Sequence, residues 1–314
     1  MDDFRIPIGE WVAEGITWVK DNLEWLLDLI SFLVRWAVDT LTDVLVATPV
    51  PVAILVAALL GWLVRSWKLA LGGAIGFIVI LGMDQWETSM QTLGLVIVAA
   101  IVAIAISIPV GIWSARNAAV RAIVRPILDF MQTMPGFVYL VPAIIFFGIG
   151  VVPGLVATVI FALPPGVRLT ELGIRGVDSE TVEAGYAFGA KPGQILRGIQ
   201  LPLATPTIMA GVNQVILLSL SMVVMAGFVG ADGLGKEVVS ALQTVNVAKG
   251  VEAGLAVVII AVYLDRLTAA LGNPAEHPSS LLGIWSRRRN AARSAAIAAS
   301  VTPAADREAV ATHT

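Results

Sequence analysis

Apolar residues near the start of the chain recur at steps of three and four: Val12, Ile16, Val19, Leu23, Leu26 and Ile30. That spacing draws one stripe along a helix. Trp11, Trp18 and Trp25 sit seven apart and widen the stripe, while nine acids and three bases lie within residues 1–43. Indole rings favour the membrane–water boundary. The pattern therefore predicts an amphipathic helix lying on a bilayer or capping a bundle; a soluble helical hairpin packed on itself is the other arrangement it allows. Beyond residue 43 the pattern changes to long apolar runs, roughly 44–64, 69–83, 92–112, 130–149, 151–164, 206–229 and 251–265. A membrane-spanning helix takes about 20 residues. The third and sixth runs reach that length; the second, fifth and seventh are short and imply uncertain ends or a locally thinned bilayer. Gly72 and Gly76 form a small-xxx-small pair suited to close helix packing. Residues 267–314 are polar and alanine-rich, without sustained periodicity, and read as a mostly disordered tail.

Composition turns these runs into a fold class. The chain is 57% hydrophobic and 14% charged, against roughly 25% charged in soluble domains. It reads as an all-α polytopic membrane bundle of about seven transmembrane helices. Its parts are an external amphipathic segment (1–43), two additional spans (44–83), a core of five spans (92–266) interrupted by a polar loop (166–202), and the tail. The absence of cysteine excludes disulfides and thiolate metal sites. His277 and His313 fall in the tail and read as solvated residues. The acidic start, MDDFRIP, is not followed by an early apolar run and does not read as a cleavable signal peptide.

Charge sets the orientation. Arg65 and Lys68, then Arg116, Arg121 and Arg125, then Arg168, Arg175, Lys191 and Arg197, then Arg266, Arg287, Arg288, Arg289, Arg293 and Arg307 lie between or after alternate spans. With seven spans these fifteen of the 20 bases share one side, and positive charge stays in the cytoplasm. The N-terminus is expected outside and the C-terminus and loop 166–202 inside.

Enzymatic and carrier chemistry is sparse. GADGLGKE (Gly230 to Glu237) nearly spells a phosphate-binding loop, but Glu237 stands where Ser or Thr should ligate magnesium, and the stretch follows a span rather than a buried strand. A turn or re-entrant loop is the expected structure there. The membrane part holds neither Cys nor His. Asp129, near the start of the fourth span and close to Arg125, reads as a carboxylate favoured by a helix N-terminus. No chain of buried ionisable groups suggests proton coupling. Energy must come from another molecule, or the protein is a passive channel.

One polar stretch stands out between two spans: EAGYAFGAKPGQILRGIQLP, from Glu183 to Pro202. Asp178 or Ser179 can cap a short helix with Glu180 in its first turn. Gly189 would stop that helix, and Pro192 would start a second. Leu201-Pro202 would end the second and lead into the sixth span. Such a cytoplasmic knob, with apolar contacts, suits docking into a groove.

The residues Glu183-Ala184-Gly185, Gly189 and Ile199-Gln200-Leu201-Pro202 match the spacing of the cytoplasmic loop of bacterial ABC-importer permeases, with Gly185 in place of a second alanine. Gln132 to Pro165, Leu201 to Gly235 and Ile6 to Val12 are similar to permeases of glycine betaine/proline uptake systems, and the resemblance covers about residues 5 to 270. It implies a type I ABC-importer permease fold in a bacterial plasma membrane, and a transport subunit that is not itself an enzyme. It also implies a separate ATP-binding subunit that holds ATP and magnesium, an external solute-binding protein, and no cofactor in this chain. Glu183, Ala184, Gly185, Gly189, Ile199, Leu201 and Pro202 would form the loop coupled to the ATPase. One such loop per chain and two grooves per ATPase dimer point to a homodimer in contact with lipid; no nucleic acid is implied. Aromatic faces suit a trimethylammonium cation, which makes Phe137, Tyr139, Phe146, Phe147 and Phe228 candidates for the substrate path. A permease for another small solute, such as methionine or a sulfonate, fits the loop equally well.

Overall fold

The structure, a computed structural model, describes residues 7–272 and 279–280. Among the described residues there is no β-strand, and thirteen helices follow in order: α1 (Ile8–Asn22), α2 (Glu24–Ala47), α3 (Val50–Val64), α4 (Trp67–Gly82), α5 (Trp86–Arg116), α6 (Ala118–Thr133), α7 (Gly136–Phe147), α8 (Val151–Arg175), α9 (Ser179–Ala187), α10 (Pro192–Ile195), α11 (Leu201–Ala226), α12 (Leu234–Thr244) and α13 (Val247–Gly272). A π-turn, Leu196–Gln200, joins α10 to α11, and one continuous helix runs from Pro192 to Val229. That long helix, α5, α8 and α13 are each long and apolar enough to cross a membrane. Two further pairs, α2–α3 and α6–α7, qualify only together and are bent by 107° and 101°. With the 16-residue α4, these elements account for all seven apolar runs, although several ends differ from those expected.

The centre of the bundle is α5, α8 and α11 packed on one another. Small residues let these helices approach, as packing within lipid requires. A Cβ added at Gly166 on α8 would lie 2.5 Å from the Ser107 hydroxyl of α5 and 2.9 Å from Val215 of α11. Ala99, Ala103, Leu155, Val215 and Met222 are fully buried around this contact. Around the centre, α3 and α4 form a hairpin, and α4 lies against α13. The glycines that serve that second contact are Gly73, facing Tyr263, and Gly76, facing Ile259, whereas Gly72 of the expected pair faces open space.

Proline explains where the expected spans break. Thr48 and Met134 each precede a proline and are extended, with ψ of 125° and 131°. Helical conformation is disfavoured at the residue before proline. Runs 44–64 and 130–149 are therefore not single spans: residues 44–47 finish α2, and residues 130–133 finish α6. The run 151–164 fails in the opposite direction. Pro164 and Pro165 lie inside α8, which continues to Arg175. Membrane helices tolerate such prolines when neighbours support them, and α8 is wedged between α5 and α11. The polar loop thus begins at Gly176, not at residue 166. Likewise α13 continues to Gly272, so residues 267–272 are helical. The expectations for His277, His313 and nearly all of the remaining tail fall outside the described residues.

At the N-terminus the single expected helix is divided at Leu23 into α1 and α2. Ile16, Val19, Leu23, Leu26 and Ile30 are half-buried. The indoles lie outside that stripe: Trp11, Trp18, Trp25 and Trp36 are exposed, as is Phe32.

Candidate functional site

The loop between α8 and α11 is built from local rules. Asp178 caps α9, its carboxylate accepting from the Thr181 backbone N–H at 3.1 Å and the Thr181 hydroxyl at 3.0 Å. The Thr181 hydroxyl, and then the Thr181 backbone N–H, hold the Asp178 carboxyl below its ordinary range. At the other end the Gly189 N–H donates to the Tyr186 carbonyl at 2.9 Å and the Ala190 N–H to the Gly185 carbonyl at 3.1 Å. This is a Schellman closure, and it requires the φ of +79° found at Gly189. Pro192 opens α10, and Gln194 accepts from the Lys191 N–H at 2.7 Å. The π-turn follows where Pro202 would otherwise press its ring on the carbonyl one turn back. The Leu201 N–H instead donates to the Leu196 carbonyl. Leu201-Pro202 therefore does not end a helix; it sits in a widened turn of a continuous one.

The seven loop residues singled out from the sequence fall into two sets. Gly185, Ile199 and Leu201 are half-buried and build the knob. A Cβ on Gly185 would lie 2.5 Å from Ile195 and 2.7 Å from Ile199, so glycine lets α9 cross closely over the following helix. Leu201 packs against a small cluster of Ile174, Leu196 and Ala204, with Ile112 of α5 beside it. Glu183, Ala184, Gly189 and Pro202 are exposed. The most exposed apolar side chain on the knob is Phe188, at 92%, with Tyr186 at 49% one turn into α9. The loop is thus rooted in the bundle and carries a bare aromatic tip.

The five candidate path aromatics do not form one group. Phe137 on α7 and Phe228 at the end of α11 meet edge to face, with centroids 5.2 Å apart, and both are about half exposed. Phe146 and Phe147 contact each other at 6.4 Å on α7. Tyr139 is buried at 7%, contacts Phe161 and donates its hydroxyl to the Met131 carbonyl. It braces the bend between α6 and α7, where the end of α6 leaves carbonyls without helical partners.

The strongest buried charge was not expected from the sequence. Glu171 on α8, 4% exposed, accepts from the Ser114 hydroxyl of α5 at 2.9 Å and from Arg125 of α6 at 3.0 Å. Arg121 stands 3.9 Å away. Asp129 is paired with Arg168 of α8 rather than Arg125, and it lies in the last turns of α6, so the expected helix N-terminus does not explain it. Ending the fifth run at Pro164 concealed Glu171 as a loop residue. A second missed network ties α11 to α13: Asn213 donates to Asp265 at 3.0 Å and accepts from Thr268.

The stretch that imitates a phosphate loop is a turn, residues 230–233, followed by the first turn of α12. Gly230 and Gly233 have φ of +85° and +108°, and the Leu234 N–H donates to the Thr92 hydroxyl at 2.8 Å. Lys236 is held 2.7 Å from Asp232, and that hydrogen bond raises its pKa above the ordinary lysine value.

Residues 107–273 match the family described as binding-protein-dependent transport system inner membrane component. The glycine betaine transport system permease protein OpuAB of Bacillus subtilis is 46% identical over 264 residues, 84% of this chain and 94% of that protein. The glycine betaine/proline betaine transport system permease protein ProW of Escherichia coli is 44% identical over 267 residues, 85% of this chain and 75% of that protein. Among solved structures, the MetNI methionine ABC transporter in inward-facing form aligns with a TM-score of 0.54 at 23% identity, over 58% of this chain and 92% of that one, which speaks to the fold. An all-helical bundle with a rooted polar loop, matched by family and relatives across most of its length, identifies the chain: it belongs to the binding-protein-dependent transport system inner membrane components.

Proposed function

We propose that this chain is the membrane permease of an ATP-driven importer for glycine betaine and related quaternary-ammonium osmoprotectants. The observation that carries the substrate class is the identity of 46% and 44% to glycine betaine permeases over more than four-fifths of the chain. The alternative substrates, methionine or a sulfonate, have no support of that strength, since the methionine transporter shares only the fold. The exposed aromatic knob favours an ATPase partner over a passive channel, which has no use for a docking element.

The mechanism follows from what the loop is attached to. Loop 176–200 is continuous with α11 at one end and follows directly on Arg175 of α8 at the other. A partner that grips Tyr186 and Phe188 and closes on ATP would move both central helices together. ATP and magnesium stay on that partner; this chain transmits displacement. A homodimer supplies two knobs for two ATPase grooves, with the N-terminus and α12 outside and the loop in the cytoplasm. A solute-binding protein delivers the cation to the external side, and the Phe137–Phe228 pair offers ring faces that suit a trimethylammonium group.

Reconstitution tests the reading. Proteoliposomes holding this chain with its ATPase and binding protein are expected to move labelled glycine betaine away from the binding protein only when ATP is on the side of loop 176–200. Import of another small solute in place of betaine would overturn the substrate class. ATP-independent flux would overturn the importer.

A further inference from the structure

Two ion pairs join the same two helices. Arg125 and Asp129 stand four residues apart on α6; Glu171 and Arg168 stand three apart on α8. Arg125 pairs with Glu171 at 3.0 Å, and Asp129 pairs with Arg168. The helices run past each other in opposite directions, so each charge meets its opposite. Sliding α6 by one turn would set Arg125 against Arg168 and break the Asp129 pair. Arg121, one turn before Arg125, would take its place at Glu171, so the Asp129–Arg168 pair is the one that reads register. Alternating charge of this kind fixes register more than it adds stability.

The inner pair is costly to keep. The Glu171 side chain is 5% exposed, and a carboxylate withdrawn from water must be compensated by hydrogen bonds and opposite charge. It receives both, from Ser114, Arg125 and the nearby Arg121, and so ties α5, α6 and α8 at one point. The two pairs differ in the carboxylate: Asp129 is 67% exposed against 5% for Glu171, whereas both arginines reach the surface, Arg125 at 60% and Arg168 at 39%.

Position gives the pairs a use. α8 runs directly into loop 176–200, while α6 leads through its 101° bend to α7. α7 carries Phe137, which meets Phe228 at the end of α11. Tyr139 braces the bend from within. A displacement of α8 reaches α7 directly, where Tyr139 lies against Phe161 of α8, but it carries the α6 side of the bend along only if α6 is held to α8. We propose that Arg125–Glu171 and Asp129–Arg168 form a register clasp that makes the α6–α7 bend follow α8 through the transport cycle. All four are positioning residues; none needs to touch solute or ATP. The clasp has this meaning only on the reading of loop 176–200 as the ATPase-docking element.

The test is the amount of solute imported per ATP hydrolysed by the assembled complex in proteoliposomes, with thermal stability measured alongside. A purely structural role lowers hydrolysis and import together and leaves their ratio alone. Glu171→Gln keeps the volume and the acceptor for Ser114 but removes the charge; the ratio is expected to fall by on the order of tenfold. Asp129→Arg, at the exposed pair, is expected to lower it about three- to fivefold, the size of a solvent-exposed ion pair. The charge exchange Asp129→Arg with Arg168→Asp is expected to restore most of that loss. A wild-type ratio in both single variants, or an exchange no better than Asp129→Arg alone, overturns the clasp. If Glu171→Gln does not fold, the outer pair decides by itself. A wild-type complex that imports a different solute overturns the substrate reading instead, and the ratio is then read with that solute.

Discussion

The chain bends twice in the same way and holds the two bends differently. Both α2–α3 and α6–α7 turn through about a right angle at a residue followed by proline. The first bend is held by apolar packing. Val44, Leu45, Ala53, Val56 and Leu60 face Phe77 and Met90 across a cavity of about 360 Å³, and the Tyr263 hydroxyl of α13 donates to the Ala57 carbonyl at 2.8 Å. Among the described residues no ion pair joins α2 or α3 to a neighbour. The second bend has apolar packing too, with Tyr139 of α7 against Phe161 of α8, and adds the two ion pairs and the Tyr139 hydroxyl brace. Dispersion contacts are non-directional and tolerate sliding; paired charges of alternating sign do not. One covalent device yields a wrapping arm in the first case and a lever in the second.

Strain at the loop should separate the two most strongly. Gly189 has φ of +79° and open space around its Cα, so a side chain there suffers from conformation, not collision. Gly189→Val is expected to distort the knob at a cost of about 1–3 kcal/mol and to remove most import, with membrane abundance retained because neither bend is touched. Gly189→Asn, which enters that conformation more readily, should keep much of it. Normal uptake by the valine variant would detach the loop from the lever.

A smaller effect comes from a matched pair of substitutions. Tyr139→Phe and Tyr263→Phe each delete one hydroxyl that bonds a backbone carbonyl, in the last turn of α6 and in the middle of α3 respectively. Each should cost about 0.5–1.5 kcal/mol of stability, visible as a lower melting temperature. Only Tyr139→Phe should also lower solute moved per ATP. Equal effects on that ratio would erase the distinction between arm and lever.

The smallest effect concerns the cap on α9. The Asp178 carboxyl is held below its ordinary range by Thr181, so the folded loop binds this proton less readily than the unfolded chain. Its contribution is fully present above the unfolded pKa of about 3.9 and is lost as pH falls through the lower folded value. Amide exchange in the first turn of α9 should rise only below about pH 4, and Asp178→Asn should flatten that dependence. Exchange unchanged across this range would deny the cap any role.

The loop was largely legible in the sequence, because Asp178, Gly189 and Pro192 act on their immediate neighbours. The bends were hidden by hydropathy, which averages across Thr48 and Met134. Proline alone could not reveal them, since Pro109, Pro126, Pro142, Pro164, Pro165 and Pro206 all lie inside helices. The following residue does not separate the two cases either: Pro135 is followed by Gly136, but Pro165 is followed by Gly166 inside α8. Glu171 was illegible for another reason. Its partners, Ser114 and Arg125, are 57 and 46 residues away, and nothing local says that α8 continues past two prolines to bring them together.

The bare tip of the loop has a consequence for biogenesis. Phe188 holds its ring almost wholly in water, and covering a phenyl ring is worth about 1.5–3 kcal/mol. On the proposed reading that surface disappears when the ATPase arrives. A permease synthesised alone would display it continuously, in the compartment where chaperones and proteases survey exposed aromatic surface. The same ring that grips the engine would then mark the orphan, so that the supply of ATPase sets how much permease the cell retains.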